Sequence, residues 1–271
     1  MVHEDWPAMS LQSVFDQAKQ ENRAAFIGYF PVGFPTVEDS IRIMQAMVDG
    51  GVEILEVGWP YSDPLMDGPT IQKATDIALK NGVTSSDVFN AVASVVDMGA
   101  EVAVMSYWNL IERLGIEKFV SSLKDAGGSA TITPDLTPDE ADTWIDVTSA
   151  ENLDRIFLIA PASSDERIKL VSDSSKGFIY AASLMGVTGE RSALSNQAEN
   201  LVKRARQFTT LPIALGLGIS SADNVREVAS YADGVIVGSA FVRIVLNAGS
   251  VDEAVIQVRE LACQMRAATV K

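Results

Sequence analysis

The sequence predicts an α/β fold, a (β/α)8 barrel with an extra N-terminal helix, and three observations carry that expectation. Eight short apolar runs, rich in β-branched and aromatic residues, alternate in order with amphipathic helical periods along the 271 residues. Parallel strands buried on both faces, joined by crossover helices, read in this way. No long linker or low-complexity segment interrupts the alternation. Eight units at this length favour closure over an open doubly wound sheet. The open sheet's G-x-G-x-x-G fingerprint is also absent, since 24-AAFIGYF is followed by PVGFP. We therefore expect one domain, 1–271.

Taken in order, a helical pattern 10-SLQSVFDQAKQ precedes the first strand and is placed to close the bottom of a barrel. The strands are expected in 24-AAFIGYF, 52-VEILEVGW, 102-VAVMSYW, 129-SATITPD, 154-DRIFLIAP, 178-FIYAASL, 211-LPIALGLGI and 234-GVIVGSAF. Helical periods lie between them in 38-EDSIRIMQAMVDGG, 116-IEKFVSSLKDAGG, 197-QAENLVKRARQFT and 221-SADNVREVASYA. Gly50-Gly51 and Gly127-Gly128 read as helix stops, and Ser220-Ser221-Ala222-Asp223 as a start. After the sixth strand, 185-MGVTGERSALS has the small polar residues and glycines of a loop that closes over bound substrate. Thr188 and Gly189 are its candidate contacts.

Composition limits the function. A formal net charge of −15 argues against nucleic acid and anionic membrane surfaces as partners. No run of about 18 apolar residues suggests a membrane span, and the first residues lack the pattern of a signal peptide. A single cysteine, Cys263, fits a reducing cytoplasm. It lies in VDEAVIQVRELACQMRAA and is expected to pack on an apolar helix face. The one histidine, His3, is near the N-terminus, which argues against Ser-His-Asp catalysis and His-rich zinc sites. Acid–base chemistry then falls to Asp, Glu, Lys or Tyr.

In a barrel of this kind, chemistry gathers at the C-terminal ends of the strands. Glu56 lies near that end of the second strand, on the same face as Ile54 and Gly58. Two readings stand side by side: a carboxylate in a structural ion pair, or an inward general acid/base with its pKa raised by burial. Asp67 follows eleven residues on, after a stretch stiffened by Pro60 and Pro64 and just before Pro69; both it and Asp63 also fit ordinary turns. Glu53 reads as an ordinary charged residue. After the seventh and eighth strands, Gly216, Gly218, Gly238 and Ser239 would let backbone N–H groups approach a phosphate without Lys or Arg. Ordinary glycine turns are the alternative.

The stretch 55-LEVGWPYSDPLMDG, supported by 180-YAASLMGVTG, 215-LGLGISS and 237-VGSAFV, closely resembles the α subunit family of tryptophan synthase, over nearly the whole chain. The resemblance implies a lyase that splits indole-3-glycerol phosphate into indole and glyceraldehyde 3-phosphate by retro-aldol cleavage. In that reading Glu56 is the general acid/base and Asp67 binds the indole N–H. Tyr180 lies near Glu56, and Thr188 positions Asp67. Gly189, Gly218, Gly238 and Ser239 bind phosphate, while Tyr29 and Ile71 line the indole pocket. No cofactor is implied in this chain. Its partner in an α2β2 complex would be a β subunit carrying pyridoxal phosphate, met through Asp63, Asn109 and Asp135. Trp59, Met66, Leu184 and Met185 depart from the commonest pattern. A stand-alone lyase releasing free indole, a retired barrel that only activates β, and another phosphate-binding barrel enzyme are the alternatives.

Overall fold

In a computed structural model, described for residues 10–183, 191–216 and 218–271, all eight apolar runs form strands. These are β1 (Ala25–Pro31), β2 (Ile54–Gly58), β3 (Glu101–Met105), β4 (Ala130–Ile132), β5 (Asp154–Ile156), β6 (Leu158–Ile159), β7 (Ile179–Ala182), β8 (Ile213–Gly216) and β9 (Gly234–Val237). Every pairing is parallel. The order across the sheet is β5-β4-β3-β2-β1-β9-β8-β7-β6. Its two ends, β5 and β6, are successive pieces of one run separated only by Phe157. The sheet therefore closes through the chain itself, and the nine segments make the eight staves of a barrel.

Period two along each strand sorts side chains into two cores. Ala25, Ile27, Ile54, Ala103, Ala130, Ile132, Ile156, Ala214 and Ile236 fill the barrel. Phe26, Phe30, Leu55, Val57, Val102, Val104 and Val235 face the helices. The N-terminal helix Leu11–Gln20 adds Leu11, Val14, Phe15 and Ala18 to the inner core, and Phe15 meets Phe178 with ring centroids 5.6 Å apart. It plugs the bottom, as expected. Ser10 and Ser13 hold its start by a reciprocal capping box.

The helix boundaries follow the sequence signals closely. Val37–Asp49 ends at Gly50, and Ala222–Ala229 starts from Ser221, whose side chain accepts from Asn224 N–H. Two helices, Pro69–Lys80 and Ser85–Val96, fill the connection from β2 to β3. Within the expected loop 185–195, residues 191–195 are helical instead, as the start of Arg191–Ala205. No helix among the described residues is long and apolar enough to cross a membrane.

Two more expectations are corrected. Cys263 is exposed, because the register of helix Val251–Ala267 turns Ala262 and Met265 inward instead. Glu53 is not an idle surface charge. Its two oxygens each accept from Arg23, at 2.7 Å, and one also accepts from Phe26 N–H at 3.0 Å. Arg23 is only 3 % exposed, so the pair locks the starts of β1 and β2 together below the inner core. Removing one partner of a buried pair strands the other charge. Arg23 also donates to Glu21 at 2.5 Å. Glu53→Ala is expected to lower unfolding stability by about 3 kcal/mol in urea titrations, and a loss below about 1 kcal/mol would show that Glu21 alone satisfies Arg23.

Candidate active site

At the mouth of the barrel, Glu56 occupies the inward position of β2, between Tyr29 of β1 and Ala103 of β3 in register. It is 1 % exposed, and its Oε1 has no hydrogen-bond partner among the described residues. An ionised carboxyl there loses its water without gaining a cation. Burial accordingly pushes its pKa up to about 8.

Asp67 is brought opposite by the loop after β2. Gly68 and Pro69 open helix Pro69–Lys80, with Pro at its first position, and Gln72 donates to the Asp67 carbonyl at 2.7 Å. Two aromatic anchors fix the stretch before it. Trp59 stacks on Phe119, centroids 6.1 Å apart, on the helix side of the barrel. Tyr107, just past β3, accepts from Met66 N–H at 3.1 Å and stacks against Tyr61 at 5.1 Å. These contacts account for two departures: Trp59 anchors the loop outward, and Met66 packs against the inner core and lines the cavity. Burial raises Asp67 to about 6.

Tyr29 and Tyr180 complete the floor. Burial holds both phenols well above their ordinary range, so they stay neutral. Each lies over a glycine: a Cβ on Gly58 would come within 2.5 Å of the Tyr29 hydroxyl, and one on Gly216 within 2.4 Å of the Tyr180 hydroxyl. Gly216 thus makes room for Tyr180. Gly218, at φ +78°, lines with Gly238 and Ser239 a cavity of about 430 Å³ that also reaches Glu56, Asp67, Ile71 and Tyr180. Gly238 precedes helix Ser239–Asn247, whose free N–H groups open there.

Comparison with known proteins places this architecture. The family model for the tryptophan synthase alpha chain matches residues 15–270. The chain belongs to the tryptophan synthase alpha chain family. It is 54 % identical over 254 residues to the tryptophan synthase alpha chain of Thermobifida fusca (strain YX), covering 93 % of this chain and 94 % of that one. The alpha chain of Acidothermus cellulolyticus is 50 % identical over 251 residues, at 93 % of each. A solved structure of Mycobacterium tuberculosis tryptophan synthase superposes with a TM-score of 0.89 at 45 % identity, covering 96 % of this chain and 98 % of that one.

Asp63, Asn109 and Asp135 are not among the residues that line the cavity. Asp63 and Asn109 are exposed, with Ser62 donating to Asp63 and Asn109 donating to the Tyr61 hydroxyl at 3.2 Å. Asp135 takes up the N–H of Trp108, at 2.9 and 3.1 Å, where helix Trp108–Leu114 begins. Thr188, Gly189, Leu184 and Met185 lie outside the described residues. Two neighbours of the site escaped the sequence reading. Tyr107 sits 41 residues from the Met66 it holds, and Arg243 is an exposed helix residue that also lines the cavity.

The raised pKa of Glu56 has a stability consequence. Below about pH 4.5 the group is protonated in both folded and unfolded chains. Between about 4.5 and about 8 only the folded chain holds the proton, so its stability falls as pH rises. Glu56→Gln is expected to lose much of that fall, worth a few kcal/mol at most. Melting curves from pH 5 to 8.5 check it, and parallel declines in both proteins would contradict an unpaired buried Glu56.

Proposed function

We propose that this chain cleaves indole-3-glycerol phosphate to indole and glyceraldehyde 3-phosphate, with Glu56 moving both protons and Asp67 holding the indole nitrogen. The observation that carries this reading is two carboxyls on one cavity with separated proton affinities, Glu56 at about 8 and Asp67 at about 6. Near neutral pH the first is an acid and the second an anion.

Each step uses that difference. Protonated Glu56 gives its proton to indole C3, and the positive charge moves to the ring nitrogen. Ionised Asp67 accepts a hydrogen bond from that N–H and stabilises the cation. Glu56, now a buried carboxylate, takes the proton of the glycerol hydroxyl next to the ring. The C–C bond breaks, its electron pair neutralises the ring, and the hydroxyl carbon becomes the aldehyde. Glu56 ends protonated, as it began. The proton transfers need no cofactor in this chain.

Neutral Tyr180 and Tyr29 keep the floor free of competing charge, with Ile71 on the pocket wall. The phosphate lies at Gly218, Gly238 and Ser239, with Gly189 contributing from the segment after β7, where Thr188 positions Asp67. The closed sheet and a family match from 15 to 270 support one working domain over 1–271. A pyridoxal-phosphate-bearing β subunit meets the face around Asp63, Asn109 and Asp135, where Leu65 is 77 % exposed beside Asp63. A cytoplasmic α2β2 enzyme of tryptophan biosynthesis is the setting that fits.

Glu56→Gln is expected to cut indole release by at least about a hundredfold while substrate still binds; turnover within tenfold of wild type would sink the assignment. For wild type, kcat/KM is expected to rise through about pH 6 as Asp67 ionises and to fall through about pH 8 as Glu56 does. Asp67→Asn then removes the acid limb, and a limb that persists would belong to another group.

A further inference from the structure

The cavity is a hard place for a phosphate to enter. Its wall carries the carboxyls of Glu56 and Asp67, and the whole chain has a formal net charge of −15. Backbone N–H groups at a helix N-terminus supply only about half a unit of positive charge, whereas a phosphate monoester carries nearly two negative ones. Among the described residues that line the cavity, Arg243 is the one basic side chain.

Its position suits that task. Arg243 stands four residues after Ser239 in helix Ser239–Asn247, so the two share a helix face. Side chains in a helix lean toward its N-terminus, which directs the Arg243 stem back to the Gly238–Ser239 end. No salt bridge among the described residues engages it. Arg243 is exposed to solvent and also lines the cavity wall, so its guanidinium is free of the acids described here and can turn to an anion bound there.

We propose that Arg243 is a specificity-determining residue, its guanidinium ion-pairing with the phosphate of the substrate held at Gly218, Gly238 and Ser239. This rests on the reading of the cavity as the indole-3-glycerol phosphate site. The planar N–H donors of arginine match phosphate oxygens two at a time. The residue selects the phosphorylated substrate and takes no part in proton transfer.

The test compares wild type with Arg243→Ala, Arg243→Gln and Arg243→Lys in indole release from indole-3-glycerol phosphate, with inorganic phosphate as a competitive inhibitor. For the Ala and Gln variants KM is expected to rise about tenfold or more, and phosphate inhibition to weaken in parallel. The change falls on KM rather than kcat, and Lys recovers part of it. Ala and Gln variants with KM and phosphate inhibition within about twofold of wild type overturn the proposal. So does a loss confined to kcat. If wild type releases no indole, the proposed function fails; calorimetric titration of wild type and Arg243→Ala with inorganic phosphate then decides Arg243 separately, and equal affinities overturn it.

Discussion

The carboxyl of Glu56 is buried on an inward strand position, and burial alone, without a neighbouring cation, sets its proton affinity. Much of the mouth of the barrel is arranged around that constraint. An arginine or lysine beside it would ionise the group and, in the proposed reaction, leave no acid for the ring carbon. The walls are instead Ile236, Leu158 and Met105, with the two neutral phenols of Tyr29 and Tyr180. Keeping a carboxyl dry and unpaired costs folding free energy at neutral pH. The lower barrel, with its packed aliphatic interior, helical plug and Arg23–Glu53 lock, supplies the rigidity that tolerates this cost.

Small residues at the strand ends make the dry floor possible. With any side chain at Gly58 or Gly216, the hydroxyl of Tyr29 or Tyr180 would be displaced from its place over the backbone. Asp67, in contrast, is held at the rim by a loop that is itself clamped, outward through Trp59 on Phe119 and inward through Met66 on Tyr107. The two acids therefore differ because their supports differ. One rides on a strand within the core and the other on a clamped loop nearer water, and their pKa values follow in that order.

The legibility of these features depends on their range along the chain. Strand alternation is a two-residue signal, so the inward position of Glu56 could be read from Ile54 and Gly58 beside it. Eight alternating units made barrel closure readable for the same reason. Contacts across the fold left weaker traces. Nothing local marks Tyr107 as the clamp on Met66, because the two meet only when β2 and β3 exit side by side. Gly216 looks like an anion turn by its neighbours, and only the fold shows that its missing side chain makes room for Tyr180. Cys263 sits in an apolar-looking run, but one step of helical register separates it from buried Ala262. The run RSALS has loop-like composition and is nonetheless helical, since the helix it begins is long enough to carry it.

The charge arrangement then orients the substrate. An acidic protein repels an anion at long range, and screening at physiological salt confines that field to about 8 Å. Capture has to come from short-range groups inside the cavity. Those groups are segregated: Glu56 belongs to β2 and Asp67 to its exit loop, whereas Gly238, Ser239 and Arg243 belong to β9's exit and the helix after it. A molecule with an anionic tail and an electron-rich ring fits this polarity in one direction only. Reversed, its phosphate would meet two carboxyls and its ring would leave the helix N-terminus and Arg243 without a partner. In the proposed reaction, binding at the phosphate end thereby sets the ring against the acids, and proton transfer relies on position rather than on a stronger acid.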